Sequence, residues 1–427
     1  MAVPTALARP DIALASRLFD ELKAQTARGD AVTRVSYGLG EQIAHGIVRR
    51  EAEALGLRLA SDAACNLYMT LPGRQRGPAM MIGSHLDSVP QGGNFDGAAG
   101  VLMGLSVLSG CVAAGVVPPR DITIMAIRAE ESTWFGTSYV GSRAAFGRLD
   151  AAELDGVRRA SDGVALGTAI AAAGGDVAAL RAGRPQLEAQ RIAAFIEPHI
   201  EQGPALLDGG HPVGLVTGIR GSFRHRGAHC LGSYAHSGTT PRAGRRDAVC
   251  ATAQLVVALD ALWARREAAG EDLAVTVGQF ATDAAEHAFS KVAGKVAFAL
   301  DIRSQSEATL AAVEAELAAL VAAIAAARSV EFRLGPRTSS TPARMDSGVL
   351  AALDRAGRAA GVAPPAMPCG AGHDAAVFAA AGVPTGMILI RNAHGSHNPA
   401  EAMEMGDFAI GAEMLTRFCL DPPGAPQ

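Results

Sequence analysis

Short apolar runs that end in polar residues recur along the chain and predict the strands of a buried sheet. A helical period dominates residues 11–27 and 41–55, and apolar runs of β type, bounded by glycine and proline, follow. Four of these runs carry polar side chains at their carboxyl ends, at residues 79–87, 122–131, 192–199 and 386–397. In an open α/β sheet, sites assemble at the carboxyl ends of parallel strands, so we expect these four ends to converge.

The middle of the chain has a different pattern. It predicts strands at 273–280 and 295–302 and helices at 247–268 and 306–327, which is typical of a smaller α+β insert. Polar strand ends return only after Pro336. We therefore predict an α/β fold with a discontinuous catalytic domain, whose mainly parallel sheet is flanked by helices, and an inserted α+β domain. The expected bounds are 1–216 and 335–427 for the catalytic domain and 217–334 for the insert.

Composition excludes several classes of protein. The chain has 427 residues, of which 49% are hydrophobic and 19% charged, and this is typical of a globular protein. The net charge of −4 gives no field that would attract nucleic acid or an anionic membrane. The longest apolar run, at 308–327, is interrupted by Glu314 and Glu316, so no transmembrane segment is expected.

The cysteines indicate the compartment. The six cysteines form no CxxC pair, and the N-terminal stretch carries Asp11, Asp20 and Glu21 instead of the apolar core of a secretory signal. We therefore expect a reducing, cytoplasmic location.

The first polar strand end combines a histidine, a glycine-rich turn and an aspartate. In GSHLDSVPQGGNFDGAAG, at residues 83–100, His85 and Asp96 flank the turn. Imidazole and carboxylate are the ligands that Zn²⁺ takes when no thiolate is present. Asp87 lies on the same side of an extended chain as His85 and could fix the tautomer of its ring. The alternative is purely structural: His85 ends a strand and Asp96 caps the next helix.

The second strand end carries two adjacent carboxylates, Glu130 and Glu131. Neighbouring side chains at a strand end point in different directions, so one can bind a metal while the other positions a water for attack. This division suits metal-assisted hydrolysis. The alternative is a solvated acidic turn, which is less expected directly after a buried strand.

The remaining strand ends add two histidines, His199 in EPHIEQG and His397 in HGSHNPAE. Other histidines, at 45, 211, 225, 229 and 287, are interpreted as ordinary core or surface groups. The candidate metal ligands are therefore His85, Asp96, Glu131, His199 and His397. If Asp96 bridges, two divalent ions roughly 3.5–4 Å apart each receive three protein ligands.

Seven segments, taken in order, resemble the dinuclear-zinc metallopeptidase superfamily that includes aminoacylases and glutamate-releasing carboxypeptidases. The resemblance is strongest to its branch of N-carbamoyl-L-amino-acid hydrolases, β-ureidopropionases and allantoate amidohydrolases. The segments cover nearly the whole chain and are GSHLDSVPQGGNFDGAAGV, EE followed by WF, PHIEQGP, AHSGTTP followed by RRDA, LDIR, GAGHDA and GSHNPAE.

The resemblance implies a role for each matching residue. It implies the same five metal ligands, with Asp96 bridging, and Glu130 as general base. It further implies that His236, on an insert that serves as dimerisation and lid domain, stabilises the oxyanion in the partner subunit of a homodimer. Gln202 and Arg303 would hold the substrate, and the guanidinium group of Arg303 would pair with the carboxylate of the substrate. His373 and Asp374 resemble pocket residues, although a turn-forming role is equally compatible with their pattern.

Two segments depart from the family pattern. Ser290, thirteen positions before Arg303, occupies the position of an asparagine that usually contacts the substrate, and Ala293 replaces a proline. Trp134 replaces an arginine that often follows the paired glutamates. We therefore expect an altered acyl or side-chain specificity.

These observations predict a metal-dependent amidohydrolase. Its expected reaction is cleavage of the C–N bond of an N-carbamoyl amino acid to the amino acid, CO₂ and ammonia, with a carboxylate-bearing small molecule as substrate. The expected cofactors are two divalent ions, zinc first, with manganese, cobalt or nickel as alternatives. One alternative function is an aminoacylase or dipeptidase with the same metals. The other is a metal-binding protein without turnover, which has no need of the base Glu130.

Overall fold

The structure is a computed structural model that describes residues 8–421. Its helices are α1 (Ile12–Thr26), α2 (Leu39–Ala54), α3 (Ala98–Ala113), α4 (Ser132–Phe135), α5 (Val140–Ala145), α6 (Ala151–Gly156), α7 (Leu166–Ala172), α8 (Val177–Arg181), α9 (Ala205–Gly209), α10 (Ala248–Ala268), α11 (Glu307–Arg328), α12 (Ser347–Ala359), α13 (Asp374–Ala380) and α14 (Met405–Leu420). Short 3₁₀ helices span Ala189–Arg191 and Arg242–Gly244.

The strands are β1 (Ala27–Arg28), β2 (Ala31–Val32), β3 (Arg58–Ser61), β4 (Leu67–Leu71), β5 (Gln75–His85), β6 (Arg120–Ile127), β7 (Ile192–Ile200), β8 (Val213–Ile219), β9 (Gly221–Leu231), β10 (Ala235–His236), β11 (Ala274–Thr282), β12 (Lys291–Val292), β13 (Lys295–Ser304), β14 (Glu331–Arg333), β15 (Arg337–Ser340), β16 (Ala343–Arg344), β17 (Ala366–Cys369), β18 (Thr385–Ile390), β19 (Asn392–Ala393) and β20 (Ala402–Met403).

The chain divides into two compact units. The first comprises Met1–Thr217 and Arg344–Gln427, and the second comprises Gly218–Ala343. The second unit extends past residue 334, the boundary expected from the sequence, because β15 pairs with β9 and so continues its sheet.

A mainly parallel sheet forms the centre of the first unit. Its strands follow the order β16-β8-β18-β7-β5-β6-β4-β3, and β17 also pairs with β8. The four central strands, β18, β7, β5 and β6, are parallel to their neighbours within this group. The outer strands β8, β4 and β3 are antiparallel. The predicted α/β class is confirmed, and the parallel strands bring their carboxyl ends to one edge.

Both faces of this sheet are covered, which explains why its strands are apolar without alternation. On β7, Ile196 belongs to a core cluster with helix α3, whose residues 98–111 are all buried, and with α1 and α14. The neighbouring Phe195 points to the other face and stacks on Phe378 of α13, with ring centroids 3.6 Å apart. Successive residues of one strand therefore pack against different helices.

Local sequence signals start the flanking helices. The side chain of Asp11 accepts a hydrogen bond of 3.0 Å from the backbone N–H of Leu14 and caps α1. Leu14, Leu18 and Leu22 then follow with helical spacing and are all buried. The helices predicted at 11–27 and 41–55 are thus confirmed as α1 and α2.

The second unit packs two long helices on one face of an antiparallel sheet. The strand order is β11-β13-β9-β14, and β15 also pairs with β9. Burial alternates strictly along β13, whose residues Val296, Phe298, Leu300 and Ile302 form the core with α10 and α11. The predicted strands and helices of this region are confirmed to within three residues at each end.

Helices α10 and α11 are long and apolar enough to span a membrane by length and composition alone. One face of each helix is buried: Leu255, Leu259, Leu310 and Leu317 lie with residues of β13 and β9 in the core of the second unit. Other apolar residues, such as Val257 of α10, are exposed. One or two helices of this kind are weak evidence for a membrane segment, because a core helix can meet the same criteria of length and composition.

Candidate active site

The four polar strand ends meet at the carboxyl edge of the parallel strands. His85 is the last residue of β5, and His199 lies one residue before the end of the adjacent β7. Glu131 follows β6, on the other side of β5, and His397 follows β18, on the other side of β7. The strand order therefore places side chains from four separate stretches of sequence around one point.

Two groups of ligand atoms form there and share Asp96. In the first group, His199 Nε2 lies 3.2 Å from Asp96 Oδ1, His85 Nε2 lies 3.4 Å from the same oxygen, and the two imidazole nitrogens are 3.4 Å apart. In the second group, His397 Nε2 lies 3.4 Å from Asp96 Oδ2 and 3.5 Å from Glu131 Oε1. Each oxygen of Asp96 thus faces a different group.

These separations fit a metal ion. A tetrahedral site with bonds of about 2.0–2.2 Å has ligand atoms about 3.3–3.6 Å apart. The measured separations of 3.2–3.5 Å agree with that edge length. Imidazole nitrogens and carboxylate oxygens are also suitable donors for Zn²⁺ and similar cations. The donor set therefore forms a metal-binding site.

Hydrogen bonds orient the two buried imidazoles. His85 Nδ1 lies 3.1 Å from the backbone oxygen of Asp87 and 3.4 Å from its carboxylate. His199 Nδ1 lies 2.9 Å from the backbone oxygen of Ile200. Because each Nδ1 faces an acceptor, it carries the ring proton, and Nε2 carries the lone pair. In His199 this Nε2 also accepts the backbone N–H of Gly97 over 3.2 Å. Both rings therefore present Nε2 as a ligand atom.

A strained turn presents Asp96. Ala98 N–H donates to Asp96 C=O over 2.7 Å, and Gly97 between them has φ +68° and ψ −49°. These angles are those of a γ-turn that residues with a side chain rarely adopt. A Cβ at position 97 would lie 2.4 Å from the ring of His85, so glycine is required for close approach as well. Asp96 Oδ2 also receives hydrogen bonds from Gln202 and Ser396.

The paired glutamates are positioned by two buried carboxylates. Asp87 accepts the backbone N–H groups of Glu130 and Glu131 over 3.2 and 3.1 Å. Glu41 accepts the N–H of Ala129 over 2.8 Å, and Ala129 has φ +51°, which is unusual for a residue with a side chain. As a result, Glu131 joins the second ligand group, whereas Glu130 Oε2 lies 3.9 Å from His85 Nε2 and outside both groups.

The site carries an excess of buried carboxylates. Burial raises the pKa of Glu130 well above its ordinary value; the charge of His85 opposes this shift, and those of Glu131, Asp374 and Asp87 add to it. Burial likewise raises the pKa of Asp374 to about 6. Carboxylates crowded in this way favour binding of a cation, and a base with a raised pKa is suited to take a proton near neutral pH.

Gln202 and His373 also lie at this site. Gln202 Nε2 is 2.8 Å from Asp96 Oδ2 and 3.2 Å from His397 Nε2. The buried ring of His373 packs edge-on against His199, with centroids 4.5 Å apart, and its Nε2 lies 3.1 Å from Cys369 Sγ. The structure thus brings eight predicted residues together in the first unit: His85, Asp96, Glu130, Glu131, His199, Gln202, His373 and His397.

Three other predicted residues, His236, Ser290 and Arg303, lie in the second unit. His236 Nδ1 accepts the N–H groups of Gly238 and Thr239 over 3.2 and 3.3 Å, so the ring proton is on Nε2. Ser290 C=O accepts the N–H of Ser237, and Arg303 Nη2 donates to Asp301 over 2.8 Å. The exposed His236 therefore presents an N–H donor to solvent.

Trp134 has a packing role. Its ring is buried in a cluster with Tyr37 and Phe135, and its Nε1 donates to the backbone oxygen of Ser88 over 2.8 Å. The side chain is only 6% exposed. The expected effect of Trp134 on substrate specificity therefore has no support in its surroundings.

Sequence reasoning missed Ser396 and Glu401 as members of the site. Ser396 Oγ lies 2.5 Å from Asp96 Oδ2 and 2.7 Å from Glu401 Oε2. Both residues belong to the same short segment, GSHNPAE, as His397. Their polar character beside a candidate ligand was the available signal.

Comparison with known proteins agrees with this geometry. The model of "Peptidase family M20/M25/M40" matches residues 81–421. The chain belongs to this family. The family predicted from seven segments of the sequence is thereby confirmed.

Two relatives are named as amidohydrolases, and one solved structure is named as an amidase. The chain is 34% identical to the N-carbamoyl-L-amino acid amidohydrolase of Geobacillus stearothermophilus, over 90% of this chain and 91% of that protein. It is 31% identical to the allantoate amidohydrolase of Escherichia coli (strain K12), over 86% and 87% of the two chains. The crystal structure of a hydantoinase/carbamoylase family amidase from Burkholderia multivorans superposes with a TM-score of 0.88 at 26% identity, covering 98% of this chain and 100% of that one.

Proposed function

We propose that this M20-family protein is a metal-dependent amidohydrolase that cleaves the C–N bond of an N-carbamoyl amino acid. The products would be the amino acid, CO₂ and ammonia. The observation that carries the proposal is the pair of ligand groups that share Asp96, with the carboxylate of Glu130 beside them. The 34% identity to an N-carbamoyl-L-amino acid amidohydrolase supports the choice of substrate class.

Two divalent cations would be held by the two ligand groups. His85, Asp96 and His199 would hold one, Asp96, Glu131 and His397 would hold the other, and zinc is the first candidate. When bound, such cations polarise the substrate carbonyl and make a coordinated water more acidic. Manganese, cobalt and nickel are the alternatives that elemental analysis of the purified protein would distinguish.

Glu130 is the proposed general base. Its carboxylate lies beside the first ligand group and outside both, so it is free to take a proton from the attacking water and return it to the leaving nitrogen. His236 is the proposed oxyanion donor through its Nε2–H, an interaction worth roughly 3–4 kcal/mol for a well-placed donor. Arg303 would pair with the substrate carboxylate, and Gln202, Ser290 and His373 would contact the rest of the substrate.

The proposed assembly is a homodimer in which the insert serves as dimerisation and lid domain. His236 of one chain would complete the site of the other, as the family resemblance implies. Mixing two inactive variants, His236→Ala and Glu130→Ala, tests this, because a hybrid dimer contains one intact composite site. Recovery of part of the activity is expected, whereas mixtures that stay inactive would argue for a site built within one chain.

A cytoplasmic location is also proposed. All six cysteines are free thiols, and four of them are buried. Free thiols are typical of a reducing compartment. Fractionation of the native cells, followed by immunodetection, would test this location.

A substrate panel tests the proposed reaction. The metal-reconstituted protein would be assayed with N-carbamoyl-α-amino acids, N-carbamoyl-β-alanine, allantoate and N-acetyl amino acids. Release of ammonia from the N-carbamoyl compounds is expected. Release of a carboxylic acid from N-acetyl amino acids, without ammonia from the ureido compounds, would favour an aminoacylase instead.

Glu130→Gln separates catalysis from metal binding. The amide cannot accept the proton, so kcat is expected to fall by roughly 10²–10⁴-fold. The metal content should not change, because Glu130 lies outside both ligand groups. A variant with full metal content and a near-normal rate would refute the assignment of the base. The wild type has to be assayed in parallel, because a wild type that turns over no substrate would indicate a metal-binding protein without catalytic activity.

A further inference from the structure

Glu401 and Ser396, which have no assigned role, lie beside Asp96, the residue that the two ligand groups share. Glu401 is buried, and its Oε1 accepts the backbone N–H groups of Phe95 and Asp96 over 2.8 and 3.1 Å. Its other oxygen, Oε2, lies 2.7 Å from Ser396 Oγ, which in turn lies 2.5 Å from Asp96 Oδ2. One carboxylate thus accepts directly from the backbone of Asp96. The Ser396 hydroxyl, which has a single hydrogen to donate, lies between this carboxylate and that of Asp96.

This double attachment matters because of the geometry that Asp96 has to keep. The χ2 torsion of an aspartate has no sharp energy minimum, so the side chain alone does not fix the orientation of the carboxylate plane. Here Oδ1 faces His85 and His199, while Oδ2 faces His397. Hydrogen bonds to the backbone of Asp96 and to Oδ2 restrict the rotation that would exchange or misalign the two oxygens.

Ser396 also belongs to the turn that presents His397. Three residues of this turn, His394, Gly395 and His397, have positive φ values of 66°, 69° and 61°. Such angles are unfavourable for residues with a side chain and persist only when the surroundings hold them. The bond between Ser396 and Glu401 is one of the contacts that hold the turn.

The packing around Glu401 leaves it little freedom. A Cβ at position 93 would lie 2.4 Å from the Glu401 carboxylate. The absence of a side chain at Gly93 therefore allows this carboxylate to approach the backbone of Phe95 and Asp96. Glu401 itself is absent from both ligand groups, and each of its oxygens is within hydrogen-bond distance of a donor. Its surroundings therefore suit a role in holding a ligand and not in binding the metal directly.

We propose that Glu401 is a positioning residue that acts through Ser396 and the backbone of Phe95 and Asp96 to hold the Asp96 carboxylate between the two ligand groups. This inference rests on the proposed function, because it assumes that Asp96 bridges two cations. It adds to the proposed function a reason why the bridge has the orientation that both cations need.

Four variants test the role of Glu401. Glu401→Ala removes both acceptors, and Ser396→Ala removes only the link to Asp96 Oδ2. Glu401→Gln is the conservative variant, since its carbonyl oxygen still accepts the two backbone N–H groups and its amide still reaches Ser396 Oγ. Glu404→Ala is the matched control, because Glu404 is an exposed glutamate three residues away that makes no side-chain capping hydrogen bond.

The readout is cation affinity measured by calorimetry on chelator-treated protein, with Zn²⁺ and Mn²⁺ as probes and with circular dichroism as a check on folding. Glu401→Ala is expected to lose roughly 10–100-fold in affinity, as is usual when a partner of a metal ligand is removed. Ser396→Ala should lose less, and Glu401→Gln and Glu404→Ala should stay within a few-fold of the wild type. Recovery in Glu401→Gln distinguishes positioning through hydrogen bonds from a need for the charge.

The outcomes separate this proposal from the proposed function. Wild-type affinity in folded Glu401→Ala would overturn the positioning role, while an active wild type with two bound cations would leave the proposed function intact. If Glu401→Ala does not fold, unchanged affinity in Ser396→Ala overturns the role instead. A wild-type protein that binds no divalent cation would overturn both.

Discussion

Gly97→Ala is expected to weaken metal binding in addition to destabilising the folded chain. Gly97 lies between the bridging Asp96 and helix α3, at φ +68°, and a Cβ there would lie 2.4 Å from the ring of His85. Ordinary contacts begin at 3.4 Å, so the ring or the turn has to move by roughly 1 Å. Metal–ligand distances tolerate only about 0.2 Å, so His85 would no longer be placed for coordination.

The size of each effect follows from this geometry. Misplacing one ligand is expected to reduce cation affinity by at least about 10–100-fold, a loss of roughly 1.4–2.8 kcal/mol. The unusual backbone angles at position 97 add an unfavourable contribution of about 1–3 kcal/mol to the stability of the folded chain. Affinity would be measured by competition with a chromogenic chelator, and stability by urea unfolding of the metal-free protein.

Gly115→Ala is the matched control for this variant. Gly115 follows the other end of α3, has φ +63°, and has no heavy atom within 4 Å of the position that a Cβ would take. The control is therefore expected to lose stability without losing cation affinity. Equal cation affinity in Gly97→Ala and Gly115→Ala would refute the argument that Gly97 is required for the approach of His85.

Three further outcomes are expected. Trp134→Phe removes the donor to the buried Ser88 carbonyl, so urea unfolding should show a loss of about 1–3 kcal/mol, with the ranking of substrates by kcat/KM unchanged; an altered ranking would assign the ring to the substrate pocket. Glu41→Ala leaves the charge of the buried Arg128 without its carboxylate partner at 3.0 Å, while its hydrogen bonds to Gln42 and the Cys65 carbonyl remain. A loss of about 3–5 kcal/mol in the free energy of unfolding is expected, and a variant as stable as the wild type would contradict this. Burial raises the pKa of Glu131 to about 7, so below that pH the carboxyl group holds a proton that a cation has to displace. Calorimetry should therefore show that the affinity for the cation rises from about pH 6 to about pH 8. A cation affinity that does not change with pH would count against Glu131 as a ligand.

Much of the fold was predictable because its signals are local. The apolar runs that became β6, β7 and β18 are buried on both faces, and burial of this kind leaves a continuous hydrophobic pattern in the sequence. The alternation along β13 likewise follows from one covered face. Caps such as Asp11 act within one helical turn, so they too are visible in the sequence.

The candidate ligands were predictable for a related reason. Each ends or follows a strand pattern, and parallel strands bring their carboxyl ends to one edge of the sheet. Residue type and position relative to a strand were therefore enough to select His85, Glu131, His199 and His397, with Asp96 in the turn after the first of them. The sequence also supplied the order of motifs on which the family resemblance rests.

Only the tertiary structure decided how these side chains are held. Glu401 contacts Phe95 across 306 positions of sequence, and Ser396 contacts Asp96 across 300. Glu41 accepts the N–H of Ala129, and the positive φ values of Ala129 and His397 occur at residues whose type gives no sign of them. Periodicity reports which face of an element is buried, whereas hydrogen bonds between distant segments depend on where the folded chain brings them together, so a local pattern contains no information about them.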